Sequence, residues 1–262
     1  MNEYKKSKKK INGTKVSILI SSAKGGVGKS TFAINFAYSL QNFGKKIGFL
    51  DADVYGPSLT KLIGRSEKPK SEDGKFLHPI DHHGLQCISM GFLIEENTPM
   101  IWRGPMVISA IKTLVEKVLW KDLDFLIIDM PPGTGDTQLT FAQDFKIDGA
   151  IIISTPQDLA LLDVKKGIQM FEKTNIDIIG LVDNMSFFKG DDGKYYNIFG
   201  EGGVEKTAKE FSKDFLGKIP LNKDLRISAD EGKPLIKFKP NHEISLLFKN
   251  IAEKIIEKFK MN

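Results

Sequence analysis

A short glycine-rich stretch, Ala23–Thr31, constrains this chain more than any other part of its sequence. It reads AKGGVGKST, follows an apolar run at 16–21 that predicts a buried strand, and precedes apolar residues at helical spacing from Phe32 to Leu40. Strand, glycine-rich turn and helix, in this order, form the context in which such a loop binds phosphate. The glycines let the backbone close around phosphate oxygens, and the helix N-terminus adds its positive end. The sequence therefore predicts a P-loop.

The side chains of this loop suit a nucleoside triphosphate together with Mg²⁺. Lys29 is placed to reach the β- and γ-phosphates, and the Ser30 hydroxyl is placed to ligate Mg²⁺. The strict pattern has a glycine at the first position, where this chain has Ala23, and the change costs little unless that position needs a positive φ. The predicted nucleotide contacts of the loop are Lys24, Gly25, Gly26, Val27, Gly28, Lys29, Ser30 and Thr31.

The second lysine, Lys24, distinguishes this loop from that of a GTPase or a kinase, which needs only the inner lysine. The string KGGVGKS resembles the deviant Walker A motif of the ParA/MinD class of ATPases. In that class the extra lysine reaches across a dimer interface to the partner's nucleotide. The resemblance implies a homodimer that sandwiches ATP, in which Lys24 acts in trans like an arginine finger.

Two further strands end in carboxylates. Residues 46–50 predict a parallel strand that leads into Asp51 and Asp53, and residues 124–129 predict a buried strand that ends in Asp129, the Walker B pattern. Doubly wound sheets bind their ligands at the carboxyl ends of their strands. We expect Asp53 to orient the attacking water and the other two aspartates to support Mg²⁺. With Lys24 and Lys29, Asp53 completes the predicted catalytic set.

The loop after the Walker B strand, Gly133–Asp136, is predicted to sense the γ-phosphate and to change shape when it leaves. Two more strand–helix units follow, with strands at 150–154 and 176–182 and a helix at 159–173. This alternation predicts an α/β fold, a doubly wound and mainly parallel sheet flanked by helices.

Composition and charge bound the remaining possibilities. A chain of 262 residues can bury an ample core, and one cysteine, Cys87, fits a reducing compartment. No apolar run approaches transmembrane length and no secretory signal is visible, so we expect a cytoplasmic protein. Residues 1–15 carry six lysines and one glutamate, a net charge of +5 that equals the charge of the whole chain. We interpret 1–15 as a solvated, disordered arm and 16–262 as a single P-loop ATPase domain.

Three features have competing interpretations. The arm could touch nucleic acid or anionic lipid, but residues 16–262 are balanced in charge, so the sequence favours neither as a partner. The basic amphipathic helix predicted at 243–260 could lie on a membrane, whereas packing against the sheet is the simpler interpretation. The exposed segment 64–84 runs into a cluster that invites a metal site but fits a polar turn before the strand 85–89. Its members are His78, Asp81, His82, His83 and Cys87.

Several longer strings resemble the Mrp family, the branch of the ParA/MinD class that comprises ATP-binding iron–sulfur cluster carriers. They are DADVYGPS at 51–58, SMGFL at 89–93, WRGPM at 102–106, DMPPGTGD at 129–136 and NMS at 184–186. The resemblance covers residues 16–235. It implies slow ATP hydrolysis by a dimer, and transfer of iron–sulfur clusters to apo proteins or cluster-assembly factors. It also implies adenine contacts from Asn184 and from the backbone around Pro220 and Leu221.

The chain departs from that family at the cluster site. Family members usually carry Cys-X-X-Cys shortly after the NMS string, and two subunits pool these thiolates at the dimer interface. Here the residues after Ser186 read FFKGDDGKYY, without a cysteine, so the sequence identifies no iron–sulfur ligand. Two other functions remain open: a ParA/MinD-like positioning ATPase that cycles on DNA or membrane, and a nitrogenase-iron-protein-like reductase, which would require paired cysteines.

Overall fold

The computed structural model describes residues 8–71, 73–93 and 104–261; residues 1–7 of the predicted arm and Trp102–Arg103 of the WRGPM string lie outside these ranges. The strands are β1 (Thr14–Ser21), β2 (Ile47–Asp51), β3 (Ile80–His82), β4 (Leu85–Ser89), β5 (Leu123–Asp129), β6 (Gly149–Ser154), β7 (Ile178–Lys189), β8 (Tyr195–Tyr196) and β9 (Phe215–Leu221). The helices are α1 (Lys29–Gln41), α2 (Leu59–Ile63), α3 (Gly104–Lys117), α4 (Asp136–Asp144), α5 (Asp158–Lys173), α6 (Gly203–Glu210), α7 (Lys223–Asp230), α8 (Leu235–Phe238) and α9 (Glu243–Lys258).

These strands form one sheet in the order β3-β4-β2-β5-β1-β6-β7-β8, and β9 also pairs with β7. The pairs within the sheet are parallel except β3 with β4 and β7 with β8. Helices cover both faces and enclose one apolar cluster on each, which explains why the central strands are continuous hydrophobic runs. The predicted α/β, mainly parallel fold is confirmed. Because the strand order reverses beside β1, the loops after β1, β2 and β5 meet at one edge.

The C-terminal helix α9 packs against the sheet. The ring of Phe248 lies 5.2 Å from that of Phe32 in α1, which itself stacks on Phe36 at 5.6 Å. The apolar side of α9 is therefore buried in the core, as the simpler interpretation of this helix predicted. Among the helices of the described residues, none is long and apolar enough to cross a membrane.

A short strand, Ile80–His82, lies inside the segment 64–84 that we predicted to be an exposed excursion, so this part of the prediction is wrong. The strand pairs antiparallel with β4 through a two-residue turn. Both turn residues, His83 and Gly84, have positive φ, which is the geometry that a tight hairpin needs. Asp81 and His82 are polar, so the sequence pattern did not indicate a strand here.

Two other boundaries differ from expectation. The strand predicted to end at residue 182 continues through Asn184 to Lys189, because β9 pairs with its second half. The predicted switch loop Gly133–Asp136 is followed at once by α4, which the sequence pattern did not indicate.

Residues 8–15, which the sequence assigned to the arm, contact the domain. The amide of Lys9 donates to the Asp144 carbonyl at 2.8 Å, and the Lys9 carbonyl accepts from the amide of Lys146 at 2.8 Å. Ile11 is buried in the cluster under α3 and α4. These contacts join residues 8–15 to the fold. Burying the Ile11 side chain is more favourable than leaving it exposed in a solvated tail.

Candidate nucleotide site

The glycine-rich loop lies between β1 and α1 at the carboxyl edge of the sheet. Gly26 and Gly28 both have φ of 81°, in the left-handed region that favours glycine. At Gly28 the space is closed as well, because a Cβ there would collide with Nδ2 of Asn184. Two independent constraints therefore require glycine at this position.

Lys29 is the centre of this loop. Its Nζ donates to Oδ1 of Asp129 at 2.5 Å and to Oγ of Ser30 at 3.1 Å. The side chains of Lys29 and Asp129 are only 6% and 1% exposed. The fold thus brings together three residues that the sequence predicted from two separate motifs.

One oxygen of the Asp129 carboxylate faces no donor. Its Oδ2 is buried and has no hydrogen-bond partner among the residues that the structure describes. A buried carboxylate oxygen without a donor fits a cation or its hydration shell, and the Ser30 hydroxyl, which shares Lys29 Nζ with this carboxylate, would be a second oxygen ligand. The donor set at this point therefore fits Mg²⁺.

Asp51 has a different environment from the one that we predicted for a magnesium ligand. Its Oδ1 accepts from the amide of Asp53 at 3.1 Å, and its Oδ2 accepts from the amides of Ser58 and Leu59 and from Ser89 Oγ at 3.0–3.1 Å. Burial raises the pKa of this carboxyl. Both of its oxygens hold the 52–59 loop in place, so Asp51 positions Asp53. Its support of Mg²⁺ stays a prediction.

Asp53 lies at the rim of a cleft of about 490 Å³ between the 53–56 loop and the loop after β5. Its Oδ1 accepts from the amide of Gly56 at 3.2 Å, and partial burial raises the pKa of its carboxyl. The cleft is also lined by Tyr55, Gly104, Ile108, Pro131, Pro132, Gly135, Thr137 and Gln138.

Gln138, on α4, was missed by the sequence analysis. It accepts from Ser21 Oγ at 3.3 Å and donates to the Pro131 carbonyl at 2.9 Å, so it ties the end of β1 to the segment just before the predicted switch loop. A polar residue two positions into an unrecognised helix carries no signal of its own in the sequence.

Lys24 lies outside the centre of its own loop. Its Nζ is 3.8 Å from Oδ2 of Asp163 on α5, and the two side chains are about one-third exposed. Lys166 and Lys24 hold the pKa of this aspartate below its usual value. Lys24 is therefore held at the surface by a neighbouring helix, while the predicted contact with a partner's nucleotide stays a prediction.

Asn184, Pro220 and Leu221, the predicted adenine contacts, line one cavity of about 520 Å³ beside the P-loop. Nδ2 of Asn184 donates to the Val27 carbonyl at 2.7 Å, which joins β7 to the loop. Other residues lining this cavity, which we call the base pocket, are Gly28, Thr31, Met185, Phe188, Asn222, Lys223, Leu225, Arg226, Ala229 and Asp230.

Two members of the cluster that invited a metal site, His82 and Cys87, are buried in the fold. His82 is buried and hydrogen-bonds through Nδ1 to the hydroxyl of Tyr38, and burial lowers the pKa of His82 to about 4. Cys87 is buried in β4, which raises the pKa of its thiol. Within 8–71, 73–93 and 104–261, no group of three His, Cys, Asp or Glu side chains is arranged to hold a metal ion.

Comparison with known proteins agrees with this geometry. Residues 13–256 match the ParA family described as NUBPL iron-transfer P-loop NTPase. The chain is 45% identical over 247 residues to the iron–sulfur cluster carrier protein of Escherichia coli K12, covering 94% of this chain and 67% of that protein. The chain belongs to the Mrp/NUBPL family of P-loop NTPases.

Solved structures extend the comparison. A nucleotide-binding protein from Archaeoglobus fulgidus in complex with ADP superposes with a TM-score of 0.76 at 35% identity, over 89% of this chain and 92% of that one. The cell division ATPase MinD of Pyrococcus furiosus superposes with a TM-score of 0.67 at 21% identity, over 93% of this chain and 99% of that one. The second likeness shows the shared fold alone.

Proposed function

We propose that this member of the Mrp/NUBPL family is a homodimeric ATPase that acts in the maturation of iron–sulfur proteins. The observation that carries the proposal is the buried Lys29–Asp129 pair at a glycine loop in which Gly26 and Gly28 are left-handed and Gly28 has no room for a side chain. The similar chain from Archaeoglobus fulgidus is described in complex with ADP, which supports nucleotide binding here.

Preference for adenine follows from the hydrogen bonds of Asn184. The Val27 carbonyl can only accept, so the nitrogen of the Asn184 amide faces it and Oδ1 is left as an acceptor. Adenine carries at C6 an exocyclic amine that donates to such an oxygen, whereas guanine carries at the same position a carbonyl that does not. The apolar walls contributed by Pro220 and Leu221 suit the faces of the ring.

Hydrolysis depends on how the loops place charge and water around the γ-phosphate. Asp53 lies in the adjoining cleft, where it would orient the attacking water, and Asp51 holds its loop in place. Ser30 and Asp129 would hold Mg²⁺, which when bound neutralises charge on the β- and γ-phosphates. Lys24 of each subunit would leave Asp163 and stabilise the transition state in the other subunit.

The cluster is cargo in this proposal, and this chain has no cysteine pair with which to hold it. Its one cysteine, Cys87, is buried in β4. The iron–sulfur cluster carrier named among its relatives supports a role in cluster delivery. We propose that the chain works there with apo proteins or cluster-assembly factors that supply thiolate ligands.

Two measurements test these claims separately. Isothermal titration with ATP and ADP in Mg²⁺, followed by phosphate release, tests the nucleotide site; a wild-type protein that binds neither nucleotide contradicts it. Anaerobic reconstitution with iron and sulfide, read by absorbance and iron per dimer, tests cluster binding. We expect no stoichiometric cluster from the chain alone. A stable cluster that is lost in Cys87→Ser would overturn that expectation.

Positioning on a surface is the competing function. The apolar side of α9, the amphipathic helix that could have bound lipid, is buried against the sheet. Co-sedimentation with liposomes and with DNA, with and without ATP, tests this function directly, because nucleotide-dependent binding would favour it.

A further inference from the structure

The base pocket shares a wall with a second cavity that the proposed function does not use. This second cavity, about 510 Å³, lies under the β7–β8 hairpin, and we call it the hairpin groove. It is lined on its own side by Phe187, Lys189, Tyr195 and Leu247, among others. The shared wall consists of Phe188 and the segment 220–223.

A bulge in β7, at its pairing with β9, lies where residues of this strand line both cavities. Asn184 pairs with Ile219 of β9, but Phe188 pairs with Leu221, so four steps along β7 match two steps along β9. Inside this bulge Met185 has φ of 54°, an uncommon conformation for a residue other than glycine. A bulge re-aims the side chains around it, and here Met185 and Phe188 both line the base pocket.

We propose that Phe188 stacks on the adenine of the bound nucleotide and so makes the β7–β8 hairpin respond to nucleotide binding. The inference rests on the proposed adenine site. Phe188 is 36% exposed and lines the base pocket, so it has free surface for a flat, aromatic partner. Every base has a π-face, and stacking on an aromatic side chain is a common way to hold one.

The hairpin is mechanically connected to this ring. Phe188 pairs directly with Tyr196 across the two strands, and Lys189 pairs with Tyr195. Tyr195 and Tyr196 are 64% and 46% exposed. A base that fixes Phe188 therefore restrains the strand pair that presents these tyrosines.

Phe188→Ala tests the inference, and Phe187→Ala is its matched control. Phe187 packs edge-on against Tyr195 at 5.2 Å and lines the hairpin groove but not the base pocket, so its removal loosens the hairpin without touching the base pocket. We expect Phe188→Ala to weaken ADP binding about five- to tenfold in calorimetry, Phe187→Ala to leave it within about twofold, and Phe188→Trp to retain it.

Hydrogen exchange distinguishes stacking from general loss of structure. Saturating ADP should slow amide exchange at 188–196 in the wild type and in Phe187→Ala, and should no longer do so in Phe188→Ala, while the P-loop amides are protected in all three. Wild-type affinity in Phe188→Ala, or an unchanged response of its hairpin, would overturn the inference alone. A wild type that binds no ADP would remove the proposed function together with it.

Discussion

Replacing Lys29 should destabilise the protein even when no nucleotide is present. Lys29 and Asp129 form a 2.5 Å ion pair whose side chains are 6% and 1% exposed. Lys29→Met keeps the length and apolar stem of the side chain but leaves the Asp129 carboxylate buried beside Asp51, its neighbour in the β2–β5 register. Breaking one partner of a buried pair costs about 3–5 kcal/mol. That is a large part of the stability of a typical domain, about 5–15 kcal/mol.

Urea unfolding at pH 7 without nucleotide measures this loss. The control is Lys165→Met, which breaks a 2.8 Å but exposed pair with Glu210 and should cost about 0–1 kcal/mol. In the double variant Lys29→Met/Asp129→Asn no charge is left unpaired, so it should be more stable than Lys29→Met alone. If Lys29→Met unfolds within about 1 kcal/mol of the wild type, the pair does not act as a buried ion pair and the reasoning fails.

Four further outcomes follow from single positions. Burial raises the pKa of Asp183 to about 6, and both its oxygens lack partners in the part of the chain that the structure describes. Because the folded state then keeps a proton that the unfolded state loses, the free energy of unfolding falls as pH rises from about 4 to 6. Across that range the Asp183→Asn variant should become more stable than the wild type by up to about 3 kcal/mol, as measured by urea unfolding. Gly28→Ala should abolish ATP binding in calorimetry, since its Cβ meets Asn184 at a φ of 81°; retained binding contradicts the loop geometry. Asp53→Ala should bind ATP, stop phosphate release and accumulate a dimer in light scattering, and normal turnover would exclude it as the water-orienting residue. Lys24→Ala should lower turnover, and mixing it with Asp53→Ala should restore part of the rate if each subunit supplies its lysine to the other.

Much of the site was predictable from the sequence because its signals are local. The P-loop is a contiguous string with a conformational reason for Gly26 and Gly28, and the strands ending in Asp51 and Asp129 are continuous apolar runs of buried parallel strands. The two motifs predict that Lys29, Ser30 and Asp129 share one site, and the fold brings the three side chains together.

The remaining features depend on contacts between segments far apart in the chain, for which the sequence carries no local signal. Oδ2 of Asp51 accepts from Ser89 Oγ on another strand, and Lys24 lies beside Asp163 on a helix that starts more than a hundred residues later. The bulge at Met185 lies where the register between β7 and β9 shifts. Motif and periodicity determined which chemistry the chain carries. The long-range packing of the sheet decided where each charged group and each aromatic ring is placed, because burial and hydrogen-bond partners exist only in the assembled fold.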